Sequence, residues 1–466
     1  MDLRITACSY DLFDTLITRR AIRPARVFED VEQALGASGF ASARVHAERA
    51  LAQAGSPFDL HDIYRHMVTS GICGEEVAAK LKGAEIDAEF DHAEPVTENL
   101  ARVRESDLVV SDMYLPAEIL RRLLLHVGLR VHVHLFVGND HKRRGTIWPT
   151  LTQRFAIVSH LGDDPVTDVE SPSRHGIPAR HFTGTRLAPV EQRLDTLGCA
   201  ELAGIVRALR LRCPHRGDTT EASLWQAYVQ FNVPLLCLTA FAVERERREL
   251  GAAGVLFSAR DCHYLAEIFG LLFPQVRTGY LPSSRKVLVE ARQEMVSILD
   301  GYPADALIVD IAATGRSWQG FAKAMRRPVH LFAVVRIDHY VSDATVGEAV
   351  EDGEFLRFRS LLRNSLLARY TNAIEAINGV GYGTTVSLAR IGDRIVPEME
   401  RSSDIPAHFA NLLLDAQAHA MRLLRKGRRR LLEESSSVDA RNLIGDLVEA
   451  MSAHSLLNEL GRQLHP

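Results

Sequence analysis

Four short stretches of this chain put acid, hydroxyl and ammonium groups where a reaction site could form. They are Asp11-Leu12-Phe13-Asp14-Thr15, Ser111-Asp112, Lys142 within HKRRGTIW, and Gly162-Asp163-Asp164 with Asp168. Each follows an apolar run that reads as a strand: residues 3–10, 108–110, 131–137 and 157–161. In open parallel sheets, ligands bind beyond the carboxyl ends of the strands. A single carboxylate at such a point is commonly a cap or a turn residue. Four successive strand ends carrying acids, a serine and a lysine argue instead for one assembled site.

The elements that must position these groups follow from periodicity. Residues 24–105 read as helical: Phe28, Val31 and Leu35 share a face, as do Ile63, His66 and Met67, and Val77 with Leu81. Helix patterns also cover 117–127 and 146–155, and a weaker strand lies near 179–182. Strands alternating with helices predict a mostly parallel, doubly wound sheet. Residues 187–212 read as a linking helix, and the polar stretch HRGDTTEA at 215–222 as a domain boundary. The second half alternates again: a helix at 223–249, then strands at 255–258, 278–281, 306–309 and 329–335. A β-like stretch at 381–396 carries the turn signal GDR at 392–394, and two amphipathic helices separated by SSS at 435–437 fill 406–463. The expected class is α/β. Residues 1–23 and 106–186 form a first core around a helical block at 24–105, with a linker at 187–219, a second, Rossmann-like domain at 220–400 and C-terminal helices at 401–466.

Composition bounds the function. A chain of 466 residues is long enough for two or three domains. With 46% hydrophobic and 24% charged residues, it reads as a soluble globular protein. The net charge of −4 supplies no basic field for nucleic acid. The run RKGRRR at 425–430 is followed by two glutamates and reads as a solvated helix end. Six scattered cysteines form no CxxC pair, which fits reduced thiols in the cytoplasm. No signal peptide precedes the first strand, and no apolar run reaches the roughly 18–20 residues of a membrane span. The C-terminal helices are a candidate surface for oligomerisation.

In order and spacing, the four stretches resemble the motifs of the haloacid dehalogenase-like (HAD) hydrolase superfamily. The strings SYDLFDTL, VVSDMYLP and KRRGTIW resemble one group within it. Those are two-domain predicted HAD hydrolases often associated with bacterial surface-polysaccharide synthesis, and the likeness extends over most of the chain. The resemblance implies a HAD-like core with a helical cap, a Mg²⁺ cofactor and a phosphorylated small-molecule substrate, a sugar or nucleotide. It makes Asp11 the nucleophile. It assigns Mg²⁺ to Asp11, the Phe13 carbonyl and Asp163, supported by Asp164 or Asp168. Ser111 would bind a phosphoryl oxygen, Lys142 would neutralise Asp11 and the substrate, and Thr15 would orient the nucleophile. Arg19, Arg20 and Arg23 fall at the cap hinge, either to grip an anion or as solvated charges. The sequence departs from the pattern two residues after Asp11, where superfamily phosphatases carry an acid and this chain has Phe13. An aromatic there resembles the dehalogenase branch, which attacks carbon; Asp14, one residue on, is placed to act in its stead. A degenerate HAD domain that only binds a ligand is the non-enzymatic alternative.

Three loops in the second half carry polar groups: SARDCHYL at 258–265, SSRK at 283–286 and VDIAATGRSW at 309–318. The last resembles the phosphoribosyltransferase loop that binds ribose 5-phosphate. That resemblance places Asp310 on ribose hydroxyls and Thr314, Gly315 and Ser317 around the phosphate, although Val309 replaces the family's first acid. An ordinary strand–turn–helix corner has the same appearance. Arg260, Asp261, Ser284 and Arg285, near neighbouring strand ends, complete the expected anion-binding crevice and leave a bifunctional enzyme as an alternative.

Overall fold

In the computed structural model the apolar runs become strands of two separate parallel sheets. The structure describes residues 4–342, 345–348, 350, 352–364, 374, 377, 378, 383–400 and 406–464. The expected β-like stretch at 381–396 and the expected C-terminal helical region at 401–466 thus begin with residues outside this set, and residues 465 and 466 also lie outside it. The chain divides into two units: Met1–Asp195 with Ala203–Arg216, and Thr196–Leu202 with Gly217–Pro466.

The first unit contains β1 (Ile5–Tyr10), β2 (Ile17–Arg19), β3 (Ala93–Pro95), β4 (Leu108–Ser111), β5 (His134–Val137), β6 (Phe155–Gly162) and β7 (Ala179–His181). Five of them form a parallel sheet in the order β5-β4-β1-β6-β7. The chain starts at β1, fills one side with β4 and β5, and returns to the other side with β6. The order therefore reverses between β1 and β6, the place at which open parallel sheets form a ligand crevice beyond their carboxyl ends. Asp11 follows β1 and Asp163 follows β6, so the switch point brings together groups 152 positions apart in sequence (163 − 11).

A helical insertion stands on the antiparallel stem β2–β3. It comprises helices Ala25–Leu35, Phe40–Ala54, Leu60–Thr69 and Glu75–His92. Asp59 and Asp62 form a capping box at the start of the third. The fourth buries Glu85, Glu89 and His92 along with Ala78 and Leu81, so its apolar stripe is weak in the sequence. Glu85 is paired at two positions with the fully buried Arg44 and also accepts the Tyr64 hydroxyl at 2.7 Å. The Arg44 guanidinium lies over the rings of Phe28 and Tyr114, at 4.6 and 4.8 Å.

The second unit contains β8 (Gly254–Ser258), β9 (Arg277–Leu281), β10 (Leu307–Ala313), β11 (Val329–Ile337), β12 (His339–Ser342), β13 (Thr345–Glu348), β14 (Leu356–Asn364), β15 (Thr385–Ile391) and β16 (Arg394–Met399). Among the described residues its parallel sheet runs β14-β11-β10-β8-β9, reversing between β8 and β10. β8 is buried along its whole length, as a central strand covered on both faces must be. The turn at Gly392 joins β15 to β16 as a hairpin.

Several expectations are corrected. The single linking helix is two, Pro189–Thr196 and Ala200–Leu211, broken at Gly198 with φ of 82°. The tail is three helices, Ala407–Ser435, Arg441–Ala453 and Ser455–Leu464. The basic run lies inside the first of these rather than at its end; Arg425, Lys426 and Arg429 are exposed, whereas Arg428 donates to the terminal carbonyls of Leu271 and Leu272. β14 escapes a sequence reading because its apolar residues alternate with Arg357 and Arg359. Among the described residues, one helical stretch, Thr220–Leu250, is long and apolar enough to cross a membrane, with 78% of its most apolar window buried in the fold.

The connection out of β2 carries an unusual steric demand. A Cβ on Gly204 would sit 2.0 Å from the Arg20 carbonyl oxygen. Arg207, on the same helix, donates to the carbonyls of Arg19 and Ala21 at 2.7 and 3.2 Å. Helix propensity alone favours alanine over glycine by about 0.5–1 kcal/mol. Overpacking against a fixed backbone costs roughly 1–3 kcal/mol. Gly204→Ala is therefore expected to lower the melting temperature; a higher one would show that the close approach does not constrain the fold.

Candidate functional site

The candidate site is built from the ends of β1, β4, β5 and β6. Asp11 leaves β1 with its amide donating to the Leu161 carbonyl at 2.8 Å, which fixes the backbone of one strand end against the other. Ser111 closes β4 and is buried. The loop after β5 turns back so that Lys142 enters the site. Its path is set by Asp112, whose two carboxylate oxygens accept the amides of Lys142 and Arg143 at 2.8 and 3.1 Å. Asp112 thus shapes the loop, a role its place beside Ser111 in the sequence did not reveal.

The carboxylates of Asp11, Asp163 and Asp168 come together, with ligand oxygens all within 4.8 Å of one another. Lys142 is their counter-charge: its Nζ binds Asp11 in a short contact and Asp168 Oδ1 at 2.6 Å. Asp168 is 1% exposed and lies against the Cα of Gly162, where a Cβ would fall 2.3–2.5 Å from its side chain. Glycine at 162 is thus required for Asp168 to occupy its place.

Ionisation follows this geometry. Burial pushes the Asp11 carboxyl up, with the Lys142 charge acting against it. Burial also works to raise Asp168, but the hydrogen bond from His160 and the Lys142 ammonium outweigh it, and the group is held down. Asp163 has no such partner. Burial, followed by the charges of Asp11, Asp14 and Asp168, pushes it up to about 8. Burial would lower Lys142, yet the charges of Asp11 and Asp168 prevail and raise it.

The remaining sequence candidates separate. Asp164 is not in the cluster: its Oδ1 accepts the amides of Val166 and Thr167 at 2.8 Å, so it caps the helical turn that carries Asp168. That corrects its assignment as a ligand; two adjacent acids look alike in sequence, and only one can face the site. Asp14 sits in the left-handed region with φ of 56° and accepts the Thr18 hydroxyl at 2.8 Å. Thr15 is fully buried, its hydroxyl has no hydrogen-bond partner, and its carbonyl accepts Asn99 at 2.8 Å. Phe13 lies beneath the Arg19 guanidinium, 4.0 Å from the ring centroid. Arg19 is held at two positions by Glu89, at 2.8 and 3.0 Å, and Arg20 pairs with Asp91 at 3.0 Å. These two arginines are structural counter-ions rather than solvated hinge charges, while Arg23 is exposed.

In the second unit, the strand ends behave differently from the expectation. The buried Cys262 thiol is pushed up by burial and then by the charges of Asp310 and Asp261. Arg260 donates to Thr384 at 3.3 Å and accepts the Tyr280 hydroxyl at its carbonyl at 3.2 Å. Ser284 is an N-cap, accepting the Val287 amide at 3.1 Å, and Arg285 is exposed on the short helix that follows. Gly315 has φ of 77°, as expected of the turn, but its vacant Cβ position faces Val350 and Phe358 at 2.7 and 2.9 Å. The Thr314 carbonyl accepts the Val350 amide at 3.1 Å, and Ser317 is half-buried in the next helix. On the side where a Cβ would point, the turn is thus packed by Val350 and Phe358 of its own chain, while Arg316 beside it is exposed.

The raised Asp163 makes a prediction about stability. Its folded pKa of about 8 lies above the ordinary 3.8, so the folded state holds the proton more tightly than the unfolded state. Stability is therefore lost as pH rises through that window and is fully present below it. In metal-free protein, Asp163→Asn should melt higher than wild type at pH 8, and the gain should vanish towards pH 4. Equal melting at pH 8 would show that ionising Asp163 carries no cost in the folded state.

A search of protein-family models and of curated proteins returns no match to this chain.

Proposed function

We propose that the chain is a HAD-like, Mg²⁺-dependent hydrolase that uses Asp11 as nucleophile on a phosphorylated small molecule, a sugar or nucleotide. The observation that carries this reading is the meeting of Asp11, Asp163 and Asp168 at a sheet switch point with one lysine among them. One ammonium offsets one of three carboxylates. The surplus negative charge, borne by hard oxygens, fits Mg²⁺. Asp11, Asp163 and the Phe13 carbonyl would hold it, with Asp168 behind them. When bound, Mg²⁺ would offset the charges of the phosphoryl group and of the attacking carboxylate.

The chain's own groups account for the rest. An Asp11 oxygen forms the new bond to phosphorus as the bond from phosphorus to the leaving oxygen breaks. Water then cleaves the aspartyl phosphate, which restores the carboxylate and releases phosphate. Lys142 holds Asp11 in place and faces the phosphoryl oxygens, and Ser111 offers a hydroxyl to one of them. Phe13 has no proton for the leaving group. Asp14 is the nearest acid in sequence, and its Thr18 contact orients it. Six free thiols go with a cytoplasmic setting. A second reading, ligand binding without turnover, is favoured by the locked Phe13–Arg19 stack in place of an acid.

With p-nitrophenyl phosphate and a panel of sugar and nucleoside phosphates, wild type should show turnover that requires Mg²⁺. Asp11→Asn, which preserves shape and removes the charge, should cut it by orders of magnitude. Turnover at the wild-type rate in folded Asp11→Asn would remove the covalent mechanism, and its absence from the wild type would favour ligand binding. Asp14→Asn should slow alkyl phosphates more than aryl phosphates, because an alkoxide leaving group needs the proton more. An equal effect on both would make Asp14 purely structural.

A further inference from the structure

We propose that His160 is a positioning residue that sets Asp168, and through it the Lys142 ammonium, against Asp11. His160 is fully buried on β6, two residues before the strand ends. Its Nε2 lies 3.3 Å from Asp168 Oδ1 and its Nδ1 lies 2.8 Å from Ser9 Oγ. A carboxylate oxygen can only accept, so Nε2 must carry the proton. In the neutral ring Nδ1 is then an acceptor, and the Ser9 hydroxyl donates to it. Ser9, on β1 and 1% exposed, thereby selects the tautomer that can reach Asp168.

The ring plane is fixed from a third direction. Trp148 packs edge-on against His160, with centroids 5.0 Å apart and planes at 71°. The Trp148 indole N–H donates to Ser171 Oγ at 3.0 Å, and Ser171 donates to the Lys142 carbonyl at 2.6 Å. The circuit closes: Ser9, His160, Asp168, the Lys142 side chain, the Lys142 main chain, Ser171, Trp148 and back to His160. Asp168 has both oxygens committed, Oδ1 to Lys142 and His160 and Oδ2 to the Asp164 amide at 3.1 Å. Removing the His160 donor leaves Asp168 to the ammonium and one amide, in a place closed to water. Outer partners of this kind typically alter metal affinity or activity by 10–100-fold.

The geometry stands by itself; its consequence for turnover rests on the hydrolase reading. The test uses the full chain. In metal-free wild type, ¹⁵N shifts of the His160 ring, assigned by their loss in His160→Gln, should show Nε2 protonated and Nδ1 bare. His160→Gln keeps an N–H near Nε2, whereas His160→Leu keeps bulk alone. The Gln variant should melt above the Leu variant, and Mn²⁺ affinity should fall about 10–100-fold in Leu and only a few-fold in Gln. A ring protonated at Nδ1 overturns the inference, as does a Leu variant as stable as Gln, since packing alone would favour the apolar side chain. An Nε2–H ring with the expected melting order, in a wild type that binds no Mn²⁺ and hydrolyses no phosphate, upholds the placement and removes the hydrolase reading instead.

Discussion

The first unit depends on one ammonium. Lys142 sits 3% exposed between Asp11 and Asp168, and no other cation is paired with either carboxylate among the described contacts. An unpaired charge in such a place costs several kcal/mol, and three carboxylates sharing it would protonate rather than stay ionised. Much of the surrounding structure serves to deliver that ammonium. Asp112 folds the loop by its main chain, Ser171 ties down the Lys142 carbonyl, and Gly162 leaves room for the acid that meets it. The burden left over falls on Asp163, which burial, and then the charges of Asp11, Asp14 and Asp168, push up against the pull of Lys142. A cluster that holds its charge imperfectly is a common mark of a site shaped for something other than stability.

How far the sequence exposes this site follows from where the information lies. Asp11, Ser111, Lys142 and Asp163 are legible because each lies at the end of an apolar strand or in the loop that leaves it, and a parallel sheet gathers strand ends whatever lies between them. Asp164 is not separable from Asp163 by type, since the choice between capping and facing inward depends on the turn that follows. His160 is hidden for another reason. It reads as one more residue inside a strand, and its meaning appears only when Ser9 of the neighbouring strand is brought beside it, 151 positions away. Glu85 and Glu89 mislead in the opposite sense. A helix with buried acids lacks a clean apolar stripe, because their partners Arg44 and Arg19 lie on other elements.

The second unit shows the same limit from the side of the fold. Its strands were largely legible, and its sheet reverses between β8 and β10 much as the first reverses between β1 and β6. Topology alone would make both reversals ligand crevices. What differs is how the strand-end groups are used. In the first unit they converge on one another with a charge imbalance. In the second, Ser284 is spent on a cap and one side of the Gly315 turn packs against Val350 and Phe358. A motif string fixes the local turn, including the positive φ at Gly315, but not what packs against it.

The helical insertion is joined to the site through Phe13. Arg19 covers that ring, Glu89 holds Arg19 from the insertion, and the pair is nearly buried, with side chains 11% and 2% exposed. Arg20 and Asp91 repeat the link one step along the same stem. Separating a buried, doubly hydrogen-bonded pair strands two charges and costs roughly 3–5 kcal/mol unless water reaches both. Any displacement of the helices Ala25–Leu35 through Glu75–His92 as a body would have to break these contacts or carry β2 and β3 along. The residue two places after Asp11 therefore does not stand alone in the site. Its ring is the floor of an ion pair that ties the insertion to the strand end, so exchanging Phe13 for a polar residue would disturb Arg19 and Glu89 as well as the ground beside Asp11.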